Sequence, residues 1–405
     1  MKFDWQTNMY PFGAVLSIPI RNGLTKPKAI RGTGVKMIGM GEIFAYDRIG
    51  NIGMDRVPVT EAEMASSGIE PGDLLFARQS LVASGAGKCS IVTEVKEPTV
   101  FESHLIRARV NPSIASPEYM YYYFCSPKGR AQVLSLVEQV AAAGIRGKDL
   151  IKLPIDLPAL EVQEYIADTL TCIDTKIELN LQINETLEEY ISSALENMLL
   201  NGQTTPAKLG DYLYIKGRIG WKGLKKEEYL DKSQYRIING ESLTKSGIVW
   251  EKAGFISEER YIESPEIMLQ PNDILLSKDG TIGKIGFVDS LDLPTTVASG
   301  IFVIRNEQPE ILSTIFIYYL LKSRLFQSFI TMRTEGSVIP HLYQKDFMEF
   351  EFPLPSKEDM KIFDNNVSAT FDHYIKNLNE NKQLVLLRDG LIPKLMDGTL
   401  VGGIP

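Results

Sequence analysis

The chain has 405 residues, 44% of them hydrophobic and 23% charged, with a formal net charge of −8. That length accommodates roughly two to four domains, each able to bury a core, and the composition excludes disorder and fibrous repeats. No apolar run reaches the ~18–20 residues of a membrane span; the strongest, Ile315 to Leu321, covers barely two helical turns. Met1-Lys2-Phe3-Asp4-Trp5 lacks the apolar stretch of a signal peptide. Cys89, Cys125 and Cys172 form neither a disulfide framework nor a metal-spaced pair, so a reducing cytoplasm is expected. The acidic balance, taken whole, argues against a nucleic-acid partner.

Read in order, the chain repeats itself at long range. Pro71-Gly72-Asp73-Leu74-Leu75-Phe76-Ala77-Arg78 returns as Pro271-Asn272-Asp273-Ile274-Leu275-Leu276-Ser277-Lys278. Gly87-Lys88 is matched by Gly283-Lys284, and Ser103…Arg107 by Ser299…Arg305. Tyr119-Met120-Tyr121-Tyr122-Tyr123 returns as Phe316-Ile317-Tyr318-Tyr319-Leu320, and Asp149…Leu157-Pro158…Glu161 as Asp346…Leu354-Pro355…Glu358. The motif order is preserved, so a unit of about 200 residues has been duplicated, too long for a solenoid repeat.

Each copy has two textures. Residues 1–153 and 204–352 carry short β-branched and aromatic runs broken by Gly and Pro, as in Ile91-Val92-Thr93 and Ile301-Phe302-Val303-Ile304, and read as globular mixed α/β domains. Segments 154–203 and 353–405 are helical: one long helix over 161–200 and a second from 356 to about Pro393, each beginning at a Leu-Pro dipeptide. The fold class expected is α+β, two globular domains separated by two long antiparallel coiled-coil helices. Charge divides unevenly: +3 over residues 1–150, −8 over 151–205, −1 over 206–350 and −2 over 351–405. The acidity resides in the first helix, and the globular parts have ample Lys and Arg for a local basic patch.

In the first helix Ile166, Leu170, Ile173, Ile177, Leu187, Ile191, Ala194 and Met198 recur in steps of four and three, with Asn180 and Asn184 at the two central positions. A shift of 197 residues places Asn377 and Asn381 on the same positions of the second helix, whose apolar seam is weaker. An antiparallel pairing about a pseudo-two-fold brings both centres together, where buried asparagines penalise register slips by ~1–3 kcal/mol. The alternative is a pair of ordinary amphipathic helices with exposed asparagines. At ~1.5 Å per residue such a helix is a spacer roughly 60 Å long.

Catalytic signatures are missing. Gly85-Ala86-Gly87-Lys88-Cys89-Ser90 and Gly280-Thr281-Ile282-Gly283-Lys284-Ile285 both lack the first glycine of a phosphate loop, at Val82 and Lys278. The histidines His104, His341 and His373 and the three cysteines show no metal-ligand spacing, and there is no G-x-S-x-G or Asn-Pro-Pro-aromatic tetrapeptide. No catalytic residue, metal or cofactor is expected in this chain.

Glu161-Val162-Gln163-Glu164-Tyr165-Ile166-Ala167, Ile173-Asp174-Thr175-Lys176-Ile177-Glu178-Leu179-Asn180 and Ile183-Asn184-Glu185-Thr186-Leu187 together resemble the conserved spacer of type I restriction-modification specificity subunits. Leu391-Ile392-Pro393-Lys394-Leu395-Met396-Asp397-Gly398 is similar to that family's closing segment. Gly217-Arg218-Ile219-Gly220-Trp221-Lys222-Gly223-Leu224 and Asp279-Gly280-Thr281-Ile282-Gly283-Lys284 resemble signatures of its target recognition domains. The second spacer departs from the family start, with Ser356-Lys357-Glu358-Asp359-Met360. The resemblance implies that each globular domain reads half of a bipartite double-stranded DNA site. It further implies that the helices set the gap and dock two adenine-N6 methyltransferase subunits carrying S-adenosylmethionine, and that an ATP- and Mg-dependent translocase and endonuclease subunit joins them.

Phosphate contacts position such a reader, and base-edge contacts specify its sequence. The candidates in the first domain are Arg31, Thr33, Lys36, Arg78, Gln79, Ser80 and Lys88; in the second they are Lys216, Arg218, Trp221, Lys222, Lys278, Thr281 and Lys284. Half-sites generally differ, so the duplicated Gly-Lys reads equally as framework, and Arg31, Gln79, Arg218 and Lys222 are preferred as readers. Two other readings compete: a two-headed coiled-coil interaction scaffold, and a self-contained restriction or methylation enzyme, which the missing motifs oppose.

Overall fold

The computed structural model describes residues 5–139, 143–219, 223–334 and 341–400. The chain forms two compact units, Met1–Leu179 with Asn381–Pro405 and Asn180–Glu380.

In the first unit the central strand, Asp73–Ala77, is buried along its whole length. It lies in a five-stranded sheet ordered Arg21–Asn22, Leu105–Arg109, Asp73–Ala77, Cys89–Val92, Arg48–Ile49. Successive side chains of a strand point to opposite faces, so one apolar run feeds two cores. Leu74 and Phe76 join the cluster built on the helix Pro117–Cys125, while Leu75 and Ala77 pack with Ile38, Ile43, Ile49 and Phe101. A smaller sheet pairs Val35–Ile38 antiparallel to Asp55–Val57 and parallel to Thr99–Phe101.

The second unit repeats this plan. Its sheet runs Leu213–Gly217, Ile301–Asn306, Ile274–Ser277, Ile285–Phe287, and its small sheet again contains one parallel pairing, Tyr235–Ile238 with Thr295–Val297. Ile274 and Leu276 face one core and Leu275 the other.

A buried ion pair fixes the strand register in both units. Asp73, 0% exposed, lies opposite Arg109 and accepts from its Nε (2.7 Å) and Nη2 (2.8 Å); its Oδ2 also accepts from the Glu70 backbone N–H. Asp273, also 0% exposed, does the same with Arg305 (2.7 and 2.8 Å) and the Gln270 N–H. The counterpart of Arg305 is therefore Arg109, not Arg107 as the sequence pairing has it; each arginine lies six residues beyond its serine, Ser299 or Ser103.

The two long helices are Leu160–Asn201 and Lys357–Met396. The second runs through Gly390 and Pro393 rather than stopping at the proline. Packing holds the last turn in place, although Pro393 supplies no N–H to it. Within the first unit Arg388 pairs with Asp174 and Asn381 donates to the Ile177 carbonyl (3.2 Å). Within the second, Asn180 donates to Glu380 (2.8 Å), Asn377 to Asn184 Oδ1 (2.9 Å) and Asn184 to the Tyr374 carbonyl (3.2 Å). Rising numbers on one helix meet falling numbers on the other, so each half of the pair is antiparallel. All four asparagines are buried, which excludes the exposed-asparagine alternative.

The globular domains attach to the helices differently. In the first unit Tyr122 donates to Asp174 (2.6 Å), which also accepts from Arg388 (2.8 Å), and Arg48 binds Glu178 (2.7 Å). Burial works against the Arg388 charge, but the Asp174 hydrogen bond and charge more than offset it and hold its pKa above the ordinary value. The buried residue is thus Asp174, with Ile173 of the expected seam only half-buried. Under the 197-residue shift Tyr122, Asp174 and Arg388 correspond to Tyr319, Phe371 and Ile191. These three belong to one apolar cluster, in which the Tyr319 hydroxyl is buried without a hydrogen-bond partner.

Removing one member of a buried pair costs about 3–5 kcal/mol, whereas removing an unpaired hydroxyl releases a desolvation penalty. Arg388→Met is expected to destabilise the chain by about that amount, Tyr122→Phe by about 1–3 kcal/mol, and Tyr319→Phe to leave it unchanged or more stable. Urea unfolding of the three variants checks the order.

Candidate nucleic-acid interface

The polar rim of the first unit begins where the central strand ends. The Arg78 backbone N–H donates to the His104 carbonyl (2.8 Å) and its Nη1 to the Ser103 carbonyl (3.4 Å). Gln79–Ser80 then pairs with Ala143–Gly144, which pairs in turn with Glu138–Gln139. The exposed Gln79 carries its Oε1 3.1 Å from the His104 ring nitrogen. Arg78, Gln79, Ser80 and His104 thus form one cluster; sequence reasoning did not select His104, because nothing in its spacing links it to Gln79.

Other candidates are committed within the fold. Arg31 donates to Asp55 (2.8 Å) and lies 3.8 Å from Glu102, although Thr33 beside it is exposed. Lys36 donates to Asn51 (2.9 Å) and the Ile52 carbonyl (3.1 Å) and pairs with Glu97 (3.2 Å). Hydrogen bonds from Arg56 and Lys36 hold Glu97 below the usual carboxylate range.

The duplicated Gly-Lys is tethered along the same path twice, Lys88 additionally pairing with Asp47 (3.0 Å). Ala77 N–H donates to the Lys88 carbonyl (2.8 Å) and Ser277 N–H to that of Lys284 (2.9 Å). Each lysine then reaches the carbonyl 44 residues back, Lys88 to Phe44 at 3.4 Å and Lys284 to Gly240 at 2.9 Å. Both glycines have positive φ, 68° at Gly87 and 87° at Gly283. A Cβ on Gly87 would also sit 2.2 Å from Val133 Cγ1, whereas on Gly283 it would meet the flexible Gln327 at 3.2 Å.

In the second unit Lys278 lies 5.0 Å over the Phe302 ring, and its carbonyl accepts from Leu342 N–H (3.0 Å), as that of Arg78 accepts from Ile145 N–H (3.0 Å). Asp279 next to it pairs with His341. Thr281 is exposed, and Lys216 lies 5.7 Å from the Tyr214 ring. Arg218 is 2% exposed, its Nε donating to the Val297 carbonyl (3.1 Å) and its Nη atoms reaching Ser264 and Thr296. Burial lowers its pKa from the ordinary value. Trp221 and Lys222 lie outside the described residues. Among the described residues no cluster of His, Cys, Asp and Glu could hold a metal, and no helix is long and apolar enough to cross a membrane.

Residues 69–189 and 206–387 match the family described as the type I restriction modification DNA specificity domain. The type I restriction enzyme MjaIX specificity subunit of Methanocaldococcus jannaschii is 23% identical over 303 residues, covering 70% of this chain and 69% of that one. The HindI specificity subunit of Haemophilus influenzae is 23% identical over 413 residues, covering 83% and 88%. In fold, the chain is similar to the crystal structure of a type I restriction-modification S subunit from M. genitalium, with a TM-score of 0.59 at 16% identity over 98% of both chains. Two matched segments, together most of the chain, place it in a class of DNA-recognising subunits. It belongs to the type I restriction-modification DNA specificity family.

Gly87→Ala combines a left-handed backbone with a clash against Val133, and such strain costs about 1–3 kcal/mol. It is expected to lower the melting temperature clearly more than Gly283→Ala, as thermal unfolding of the two variants would show.

Proposed function

We propose that each unit reads one half of a bipartite, asymmetric double-stranded DNA site, and that the long helices fix the gap and dock two methyltransferase subunits. The observation that carries this reading is a shared framework with unshared rims. The Asp–Arg pair and the Gly-Lys tether recur in both units, while Gln79 beside Arg78 becomes Asp279 beside Lys278. Base edges are told apart by donor and acceptor pattern, so a change of rim chemistry on a constant scaffold suits two different half-sites. Gln79, Ser80, Thr33 and Thr281 are the proposed base-edge contacts, with Arg78, Lys278 and Lys216 toward phosphate.

Two copies of one partner need equivalent surfaces. Tyr190 and Leu387 are related by the 197-residue shift and are 51% and 52% exposed on the long helices. We assign them to methyltransferase docking. The chain itself is non-catalytic in this scheme and works in the cytoplasm; S-adenosylmethionine binds the methyltransferase subunits, and ATP and Mg the translocase and nuclease subunit.

The decisive probe is a duplex carrying the motif methylated in host DNA, found by comparing methylomes with and without this gene. Inserting one or two base pairs between the half-sites should reduce binding of the reconstituted complex to the non-specific level, ~10³-fold or more weaker. Unchanged binding would sink the spacing assignment. Tyr190→Asp and Leu387→Asp should each lose one methyltransferase copy in native mass spectrometry, and the double variant both.

A further inference from the structure

A single exposed leucine is ordinary on a protein surface, but Leu81 combines several features that a merely solvated loop does not. The Ala77 and Ser277 strand ends and the Lys88 and Lys284 tethers are equivalent in the two units, yet eleven positions separate Ala77 from Lys88 and only seven separate Ser277 from Lys284. The second unit closes the same turn with the short loop, so folding does not require the four additional residues of the first. That longer loop carries Leu81, 100% exposed, and Val82, 61% exposed.

The loop is also braced. Ser80 Oγ accepts from Val82 N–H (3.2 Å), Gly85 N–H donates to the Val82 carbonyl (3.0 Å), and Arg130 donates to the carbonyls of Ser84 and Ala86. Gly85 fits so closely that a Cβ would stand 2.3 Å from Ser80 Oγ. A braced loop holding an apolar tip next to Arg78 and Gln79 in the chain has the construction of a side chain that enters DNA beside polar contacts. Leucine is among the residues that wedge base steps apart, at an unstacking cost recovered from added contact.

We infer that Leu81 is an apolar wedge that enters the duplex and opens a base step in the half-site read by the first unit. The inference rests on the DNA-reading assignment above, and it makes the longer loop a specificity element peculiar to one half of the chain.

The test uses the chain reconstituted with its methyltransferase subunits. The probes are a duplex carrying the mapped motif with 2-aminopurine in the first half-site, the same duplex with that half scrambled, and one with its thymines replaced by uracil. Wild-type complex should raise the 2-aminopurine fluorescence. Leu81→Ala should abolish that rise and weaken cognate binding on the order of tenfold or more, leaving scrambled-duplex affinity and the salt slope unchanged because no charge is lost. Leu81→Phe should retain the fluorescence rise. An unaltered fluorescence rise and affinity in Leu81→Ala would overturn the inference, as would equal losses on cognate and scrambled duplexes. Loss of methyltransferase co-purification with Leu81→Ala would make the tip a protein contact instead. Affinity lost on the uracil duplex without any fluorescence rise in wild type would make it a thymine-methyl contact. Failure of the wild-type complex to prefer cognate over scrambled duplex would strike the DNA-reading assignment itself, not Leu81.

Discussion

A carboxylate with no exposed surface is tolerable only if every oxygen is compensated, and this chain accepts that constraint twice. Asp73 and Asp273 each sit opposite an arginine on the neighbouring strand and accept both its Nε and Nη2 donors. A slip of one residue would strand a bare charge in the core and turn the apolar faces of both strands the wrong way. The register of the two central strands is therefore set by polar chemistry as firmly as by hydrophobic pattern. The rim residues Arg78–Gln79 and Lys278–Asp279 begin only a few positions beyond these aspartates, so fixing the register also fixes where the rims emerge.

That coupling accounts for how the two halves diverge. The glycine that needs a left-handed backbone, the lysine that reaches back 44 residues and the buried ion pair are repeated with nearly the same geometry. Change is concentrated beyond the strand ends: Gln79 against Asp279, His104 against Gly300, His341 against Gly144, and loops of different length. The framework and the rims occupy different residues, which lets the rims vary without disturbing the sheets.

Much of this was legible in the sequence because duplication and helical period are pattern properties. The two long helices, their Leu-Pro starts and the asparagine positions follow from spacing alone. The misreadings centre on charged residues. Arg218 lies between glycines and looks like a loop reader, yet three oxygen partners hold it inside. Asp174 breaks the apolar pattern of its helix, where the spacing favours Ile173, because its partners Tyr122 and Arg388 are 52 and 214 residues away. Arg107 and Arg109 alternate along one strand, and only the cross-strand register shows which of them meets the buried aspartate. The four extra residues near Leu81 can be counted between the repeated motifs, but their meaning requires knowing that the flanking turn is unchanged.

The two attachments to the helices carry one more consequence. At equivalent positions the first unit has Tyr122, Asp174 and Arg388 and the second has Tyr319, Phe371 and Ile191, its own ion pair lying instead at Lys322 and Glu188. A chain assembled from two first halves would set Asp174 against Ile191, a buried carboxylate facing a hydrocarbon. One assembled from two second halves would set Arg388 against Phe371. Each mismatch takes the ion-pair partner from a largely buried charge, leaving Asp174 with Tyr122 and Arg388 with Asp389 alone, so the two halves pair better with each other than with copies of themselves. A chain with a duplicated sequence thereby carries a chemical distinction between its two halves at the very positions the duplication makes equivalent.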